Sequence, residues 1–300
     1  MAAKPRTVAL AGLLAGAMVW GLVWYPYRVL SESGIGGVLS ATLTYAVALA
    51  LALPLLWRHL RAFKPSWTLL LIALAAGGCN LGYVLATLHG EVMRVLLLFY
   101  LAPLWTVLLA RALLNEALSA VGFLVVGLSF AGAMTMLWRP DTGVPLPRSG
   151  AEWIGLAAGL LFALTNVLIR KTVHLSIEVK SVVVFAGVVA IGVIILAVQG
   201  DDSSPGAVIA IASAPTIALV GVILLAINLA VQYGLTHISA NQAIVIFLFE
   251  LVVAALSSWL LAGEEMGARE WLGGAMIVAA SVFSGRLGEG AEGDRERARA

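Results

Sequence analysis

The chain has 300 residues, of which 61% are hydrophobic and 11% charged, with a net charge of +2 and a mean hydropathy of +1.01. Soluble domains carry about 25% charged residues, so this composition excludes a water-soluble globular protein and defines an all-α polytopic membrane protein. The single cysteine, Cys79, excludes a disulfide framework and a cysteine-rich metal site. So small a net charge gives no reason to expect nucleic acid as a partner.

Windows of about 20 apolar residues are long enough to cross ~30 Å of hydrocarbon. Ten such spans are predicted, at 8–29, 35–57, 67–88, 91–112, 119–138, 151–171, 179–198, 214–235, 239–261 and 268–286. Lys4-Pro5-Arg6 before an apolar run could open a signal peptide. The run, however, continues through Trp20 and Trp24 to Tyr27, too long for a cleavable segment, and is read as the first span. The longest connections, 139–150 and 199–213, are rich in Pro, Gly, Ser and Asp and too short to bury a core of their own. Residues 287–300 are charged and poor in apolar side chains, the composition of a disordered tail.

The basic residues set the expected orientation. With a cytoplasmic N-terminus, one side receives thirteen: Lys4, Arg6, Arg58, Arg61, Lys64, Arg111, Arg170, Lys171, Lys180, Arg286, Arg295, Arg297 and Arg299. The other receives five: Arg28, Arg94, Arg139, Arg148 and Arg269. Both termini are therefore expected inside. Trp57, Trp67, Trp138, Trp153, Trp259 and Trp271 fall at span ends, where amphipathic rings prefer the interface, and leave Trp20, Trp24 and Trp105 at depth.

Two stretches 148 positions apart, Glu91–Leu118 and Ser239–Met266, share a plan: an apolar span, then a short turn with Asn115-Glu116 or Gly263-Glu264. Only Phe99/Phe247, Leu108/Leu256, Leu113/Leu261 and Glu116/Glu264 are identical. Glu250 stands mid-span in the second stretch where the first has Ala102-Pro103. Gly12-x-x-x-Gly16 is echoed by Gly155-x-x-x-Gly159, 143 positions on, as Arg28 is by Lys171. Small residues at this spacing also serve helix packing in any membrane bundle; their shared register suggests two copies of five helices. An odd-numbered unit inserts its second copy upside down, giving inverted halves. The expected units are 1–138 and 151–286, joined by a linker at 139–150 and followed by the tail.

Intramembrane polar residues sort into stripes by helical spacing. They are Trp20, Trp24, Tyr27 and Arg28 on the first span; Asn80, Tyr83 and Thr87 on the third; Asn228, Gln232 and Thr236 on the eighth. The ninth carries Ser239, Gln242, Ile246, Glu250 and Ser257, with Tyr100 and Asn166 as further candidates. For any single amide or hydroxyl the competing reading is an interhelical hydrogen bond worth ~0.6 kcal/mol. Four stripes imply an internal surface that is not lipid. Trp20 and Trp24 lie too deep for the interfacial belt, and a cavity lined by Asn80, Tyr83, Tyr100, Asn166 and Gln232 would give their rings and N–H groups partners. A carboxylate at the depth of Glu250 is costly unless paired or used, so it is either structural or a site of proton exchange. His59, His89, His174 and His237 lie at helix ends and Asp141, Asp201, Asp202 and Asp294 in loops or the tail, so no catalytic or metal-binding cluster is visible at depth. No phosphate-binding loop ending in Gly-Lys-Ser/Thr occurs.

Trp20-Gly21, Leu101-Ala102-Pro103-Leu104, Asn115-Glu116, Ile238-Ser239-Ala240, Phe249-Glu250 and Gly263-Glu264 resemble the ten-helix branch of the drug/metabolite transporter superfamily with two EamA domains. The resemblance spans about 8–286. Where that family commonly has Glu-Pro, Leu251 follows Glu250 here. Within the superfamily the Trp- and Tyr-rich core is similar to YddG-type aromatic amino-acid exporters. The resemblance implies a secondary transporter of the inner (plasma) membrane, without cofactor, exporting small amphipathic metabolites, aromatic and other hydrophobic amino acids foremost. Its site would comprise Trp20, Trp24, Asn80, Tyr83, Tyr100, Asn166, Asn228, Gln232, Gln242 and Glu250, with kinks at Pro26 and Pro103. Other readings are an uncoupled facilitator or channel, an exporter of threonine-type amino acids or cationic drugs, and, last, a membrane-embedded enzyme. The expected partners are the small-molecule substrate and the lipid bilayer; oligomeric state stays open, a monomer being compatible.

Overall fold

The structure, a computed structural model, describes residues 5–61, 64–138, 146–199, 207–263 and 266–284. Among these, every regular element is α-helical. The first span is α1 (Pro5–Leu22) continued by α2 (Trp24–Glu32), the second α3 (Gly37–Leu55) followed by a single turn, α4 (Trp57–Leu60), and the third α5 (Trp67–His89). The fourth is divided into α6 (Val92–Phe99) and α7 (Ala102–Leu114), and the fifth is α8 (Ala120–Leu137). Then come α9 (Gly150–Lys171), α10 (Ile177–Gln199), α11 (Ala207–His237), the divided ninth span α12 (Ala240–Phe247) and α13 (Phe249–Ala262), and α14 (Ala268–Phe283).

Nine helical stretches among the described residues are long and apolar enough to cross a membrane. The tenth expected span, α14, has 16 described helical residues, about 24 Å at 1.5 Å per residue. The expected loop at 199–213 is shorter than its composition suggested. α11 already begins at Ala207, because 207–213 are mostly alanine, valine and isoleucine. The expected tail at 287–300 and most of the linker lie outside the described residues, as does Glu264.

Local chemistry explains where the helices start. Ser66, Ser119, Ser149 and Ser239 are N-caps, their Oγ accepting from the N–H of Leu69, Gly122, Glu152 and Gln242 at 3.1–3.3 Å. Each such cap is worth about 1 kcal/mol. All six span-end tryptophans are surface-exposed, from 43% at Trp138 to 81% at Trp67. Alongside them stand bare apolar side chains such as Leu124, Val198 and Val282, a surface suited to lipid and not to water.

Most of the larger helix pairs recur when spans one to five are exchanged for spans six to ten, though α9 against α11 has no counterpart of like extent in α1 against α5. α5 against α9 corresponds to α11 against α1, α5 against α10 to α11 against α3, and α7 against α9 to α13 against α1. Pairs α3·α10 and α8·α14 map onto themselves, as does the contact of the fourth span with the ninth, made here by α7 and α12. Close approaches follow the same exchange: Gly77 lies against the Gly187 carbonyl and Gly221 against Thr44. The Gly-x-x-x-Gly echo does not share an interface. Gly12 and Gly16 face Ala230 and Val231 of α11, whereas Gly155 and Gly159 face Val95 and Phe99 of α6. Small residues were selected in both helices, but against different neighbours.

Three spans are broken at depth. α1 gives way to α2 at Val23, three residues before Pro26, whose ring has no N–H to reach back to Leu22. α6 gives way to α7 at Tyr100-Leu101, just before Pro103 in the first turn of α7. α12 gives way to α13 at Leu248 with no proline near. There the Leu251 N–H bonds the Leu248 carbonyl at 3.1 Å, a three-residue tightening in place of the regular ladder. The helix is thus interrupted here although Leu251 stands where the resembling family commonly has proline. Break and end both recur 148 positions apart: Tyr100 and Leu248 close the first half-helices, and Asn115 (φ 54°) and Gly263 (φ 68°) cap the second in the left-handed region. Gly reaches that region without a Cβ penalty and Asn tolerates it.

Candidate transport cavity

The broken helices surround a cavity of about 660 Å³. At one end its lining reaches Val92, 48% exposed, with Met266 and Glu270. At the other it stops beneath Ile169 and Leu235, 2% and 1% exposed. One end is thus a mouth and the other is closed.

Rings form a continuous wall: Tyr83 to Phe99 at 5.1 Å, Phe99 to Phe162 at 5.7 Å and Phe162 to Phe247 at 5.7 Å between centroids, with Tyr100 5.3 Å from Phe99. These tilted and edge-on arrangements are the favoured ones, and the four helices that carry them meet at the cavity.

Nine of the ten expected site residues line the cavity: Trp20, Trp24, Asn80, Tyr83, Tyr100, Asn166, Asn228, Gln232 and Glu250. Gln242 does not. It is buried on α12, and the ninth-span stripe that included it assumed one continuous helix, whereas the break at Leu248 ends that face. Ser239 from the same stripe is a helix cap, and Arg28 from the first is a surface residue paired with Glu32 at 3.1 Å.

Their hydrogen bonds divide the polar residues into two groups. Asn80 is satisfied by Tyr45, whose hydroxyl donates to Oδ1 at 2.8 Å, and by its own helix at Ala76. Trp24 Nε1–H donates to Ser257 Oγ at 2.9 Å, so its partner is protein rather than cargo. Tyr100 Oη–H donates to Glu250 Oε1. That bond joins the broken fourth and ninth spans at their breaks, because Tyr100 ends α6 and Glu250 lies in the first turn of α13, where the helix dipole favours a carboxylate. By contrast, Asn166 Nδ2, Asn228 Oδ1 and Gln232 Oε1 are buried with no hydrogen-bond partner among the described residues. Each such orphan costs about 1–3 kcal/mol.

Charges gather at the closed end. Glu116, just past the α7 cap, has Oε1 3.5 Å from Arg170 Nε and accepts the Ala240 N–H at 3.0 Å on Oε2, answering the N-terminus of α12. Arg170 also donates to the Thr236 carbonyl, and Lys180 Nζ donates to Thr236 Oγ1 at 2.8 Å. Lys180, counted above with that side's loop charges, is fully buried in α10. At the mouth end Arg94 and Glu152 form a buried two-pronged pair, Nε–Oε1 2.9 Å and Nη2–Oε2 3.0 Å, tying α6 to α9.

Sequence reasoning did not single out Tyr45, Phe99, Phe162 and Phe247 as lining residues. In an apolar helix such rings carry no periodic signal; only Tyr45, a hydroxyl at mid-span beside Thr44, had one. Cys79 also lines the wall, 7% exposed. Among the described residues no group of three His, Cys, Asp or Glu side chains could hold a metal ion.

A bundle of membrane helices, interrupted at mid-depth around a solvent-reaching cavity, is the architecture of a membrane transporter. The model of the EamA-like transporter family matches residues 7–138 and again 149–286. The chain belongs to that family, within the drug/metabolite transporter superfamily, and is a multi-pass plasma-membrane protein. It is similar to a riboflavin transporter of Brucella anthropi, 25% identical over 277 residues that cover 87% of this chain and 92% of the relative. It also shares its fold with a protein of known crystal structure, at a TM-score of 0.74 and 15% identity, covering 93% of this chain and 96% of that one.

Proposed function

We propose that the protein is a secondary transporter that exports small amphipathic solutes bearing an aromatic ring, by alternating access through the central cavity. The observation that carries this reading is the meeting of the broken fourth and ninth spans at Tyr100 and Glu250. Two half-helices joined by one hydrogen bond at mid-depth can re-aim while the outer bundle stays packed. Units 1–138 and 151–286 act as inverted halves in this reading, which the exchange of helix pairs supports. Both termini are cytoplasmic, supported by the thirteen-to-five division of basic residues, and the closed end is then the cytoplasmic one. Reporter fusions after Arg148 should score as periplasmic and after Lys180 as cytoplasmic; the reverse pair sinks this topology.

For cargo, the ring wall supports a flat apolar body and the lining amides a polar edge. Aromatic and hydrophobic amino acids, the cargo suggested by the YddG-type resemblance, belong to that class. So does riboflavin, named for the Brucella anthropi relative. In proteoliposomes, flux should saturate and show counterflow, as a carrier's must; linear flux without counterflow identifies an uncoupled facilitator. Trp20→Ala and Tyr83→Ala should each slow transport of Trp, Phe and riboflavin more than that of Thr. Equal losses across the panel would assign these rings to packing and remove the reason for aromatic cargo.

A further inference from the structure

Within that reading, and resting on it, we infer that the cavity is built for rings that carry no carboxylate: flat heteroaromatic solutes, uncharged at neutral pH, whose edge N–H and C=O groups meet Asn166, Asn228 and Gln232. Among the described lining residues there is no Lys, Arg or His, while two carboxylates are present, Glu250 at depth and Glu270 towards the mouth. An anionic group entering such a site leaves water without meeting a counter-charge, which is strongly unfavourable. The α13 N-terminus, which could otherwise receive an anion, already holds Glu250 in its first turn.

The three amides supply what an uncharged heterocycle needs. They are 6%, 7% and 1% exposed, all three residues line the cavity, and they stand on α9 and α11, helices in contact with each other. A side-chain amide offers a donor and an acceptor and can turn to present either, so this patch reads hydrogen-bonding edges and not charge. Asn80, by contrast, is spent on Tyr45 and its own helix. Each of the three amides has one atom without a hydrogen-bond partner among the described residues, and a side-chain rotation that brings it to the cavity lets a ligand with complementary edges satisfy it.

Matched probes test this on the full chain in liposomes, with isothermal titration calorimetry as the readout. Indole-3-acetamide should bind at least about tenfold more tightly than indole-3-acetate, and riboflavin more tightly than its anionic 5′-phosphate, the scale of one well-made buried hydrogen bond against an unpaired charge. Asn228→Leu and Gln232→Leu should each weaken the uncharged probes about fivefold to tenfold while raising the Tm of the empty protein, since each removes an unsatisfied amide. A purely structural amide would lower Tm and leave affinity unchanged, and that result overturns the assignment. Equal or tighter binding of the acetate overturns it, and tightest binding of tryptamine replaces it with a cation site at Glu250. If tryptophan is carried with counterflow while the uncharged rings are not, this inference fails and the transporter reading stands. If no ring in the panel is carried, both fail together.

Discussion

The fourth and ninth spans break at corresponding places yet carry different chemistry at the break. The fourth has Ala102-Pro103 after its gap, and its mouth-side half, α6, is pinned to α9 by the buried Arg94–Glu152 pair. The ninth has Glu250 and no proline, and its half towards the closed end, α12, is held at its first turn by Glu116, a residue of the fourth span. The breaks therefore belong to the packing of the bundle and not to any one residue. What the local sequence decides is which group is left at the gap: a ring hydroxyl on one side and a carboxylate on the other.

That comparison can be broken most severely at Arg94. Arg94→Leu strands the Glu152 carboxylate inside the protein and should cost about 3–5 kcal/mol in detergent unfolding, with much of it restored in the Arg94→Leu/Glu152→Leu pair. Recovery absent from the pair would mean that the residues act separately. Next comes Glu116→Ala, which removes both the Arg170 ion pair and the α12 cap. A loss of about 1–2 kcal/mol is expected, and less than additive loss when combined with Arg170→Ala. Full additivity would detach the two contacts from each other.

Proline itself should matter least to the breaks. Pro103→Ala falls in the first turn of α7, so it should shift stability by under about 1 kcal/mol and leave helix content unchanged. A large loss of helix in Pro103→Ala would restore proline as the cause of the fourth-span break. Glu250→Gln keeps an acceptor for Tyr100 and should change stability by only a few tenths of a kcal/mol. Its effect is expected in the driving force: flux should stop responding to a proton gradient, and an unaltered response discards a coupling role for Glu250.

Span positions were legible because hydrocarbon imposes a length, and the tryptophan belt marked the same ends independently. The site was legible through its polar members, since an amide or carboxylate in an apolar helix stands out. The rest was hidden by the same solvent. Helices that are apolar on every side show no periodic face, so Phe99, Phe162 and Phe247 read as lipid-facing or core residues alike. Gln242 was assigned to the cavity by extending one helical face through Leu248, where tertiary packing ends the helix without a local signal. Lys180 read as a loop charge because nothing in its neighbours announces Thr236, 56 positions away, as its acceptor.

Cys79 is the chain's one sulfhydryl, and it sits in the wall of the cavity on α5. The protein thus carries one chemical reporter in the wall of the cavity, without any need to remove competing thiols. Alkylating reagents of graded width, supplied from the mouth side, would report the bore of the cavity by their relative rates at this sulfur, each taken against its own rate with a free thiol, since burial withholds the reactive thiolate from all of them alike. A solute lodged against the ring wall would slow that modification in proportion to its occupancy, so labelling kinetics yield a binding curve for a compound that is neither fluorescent nor radioactive.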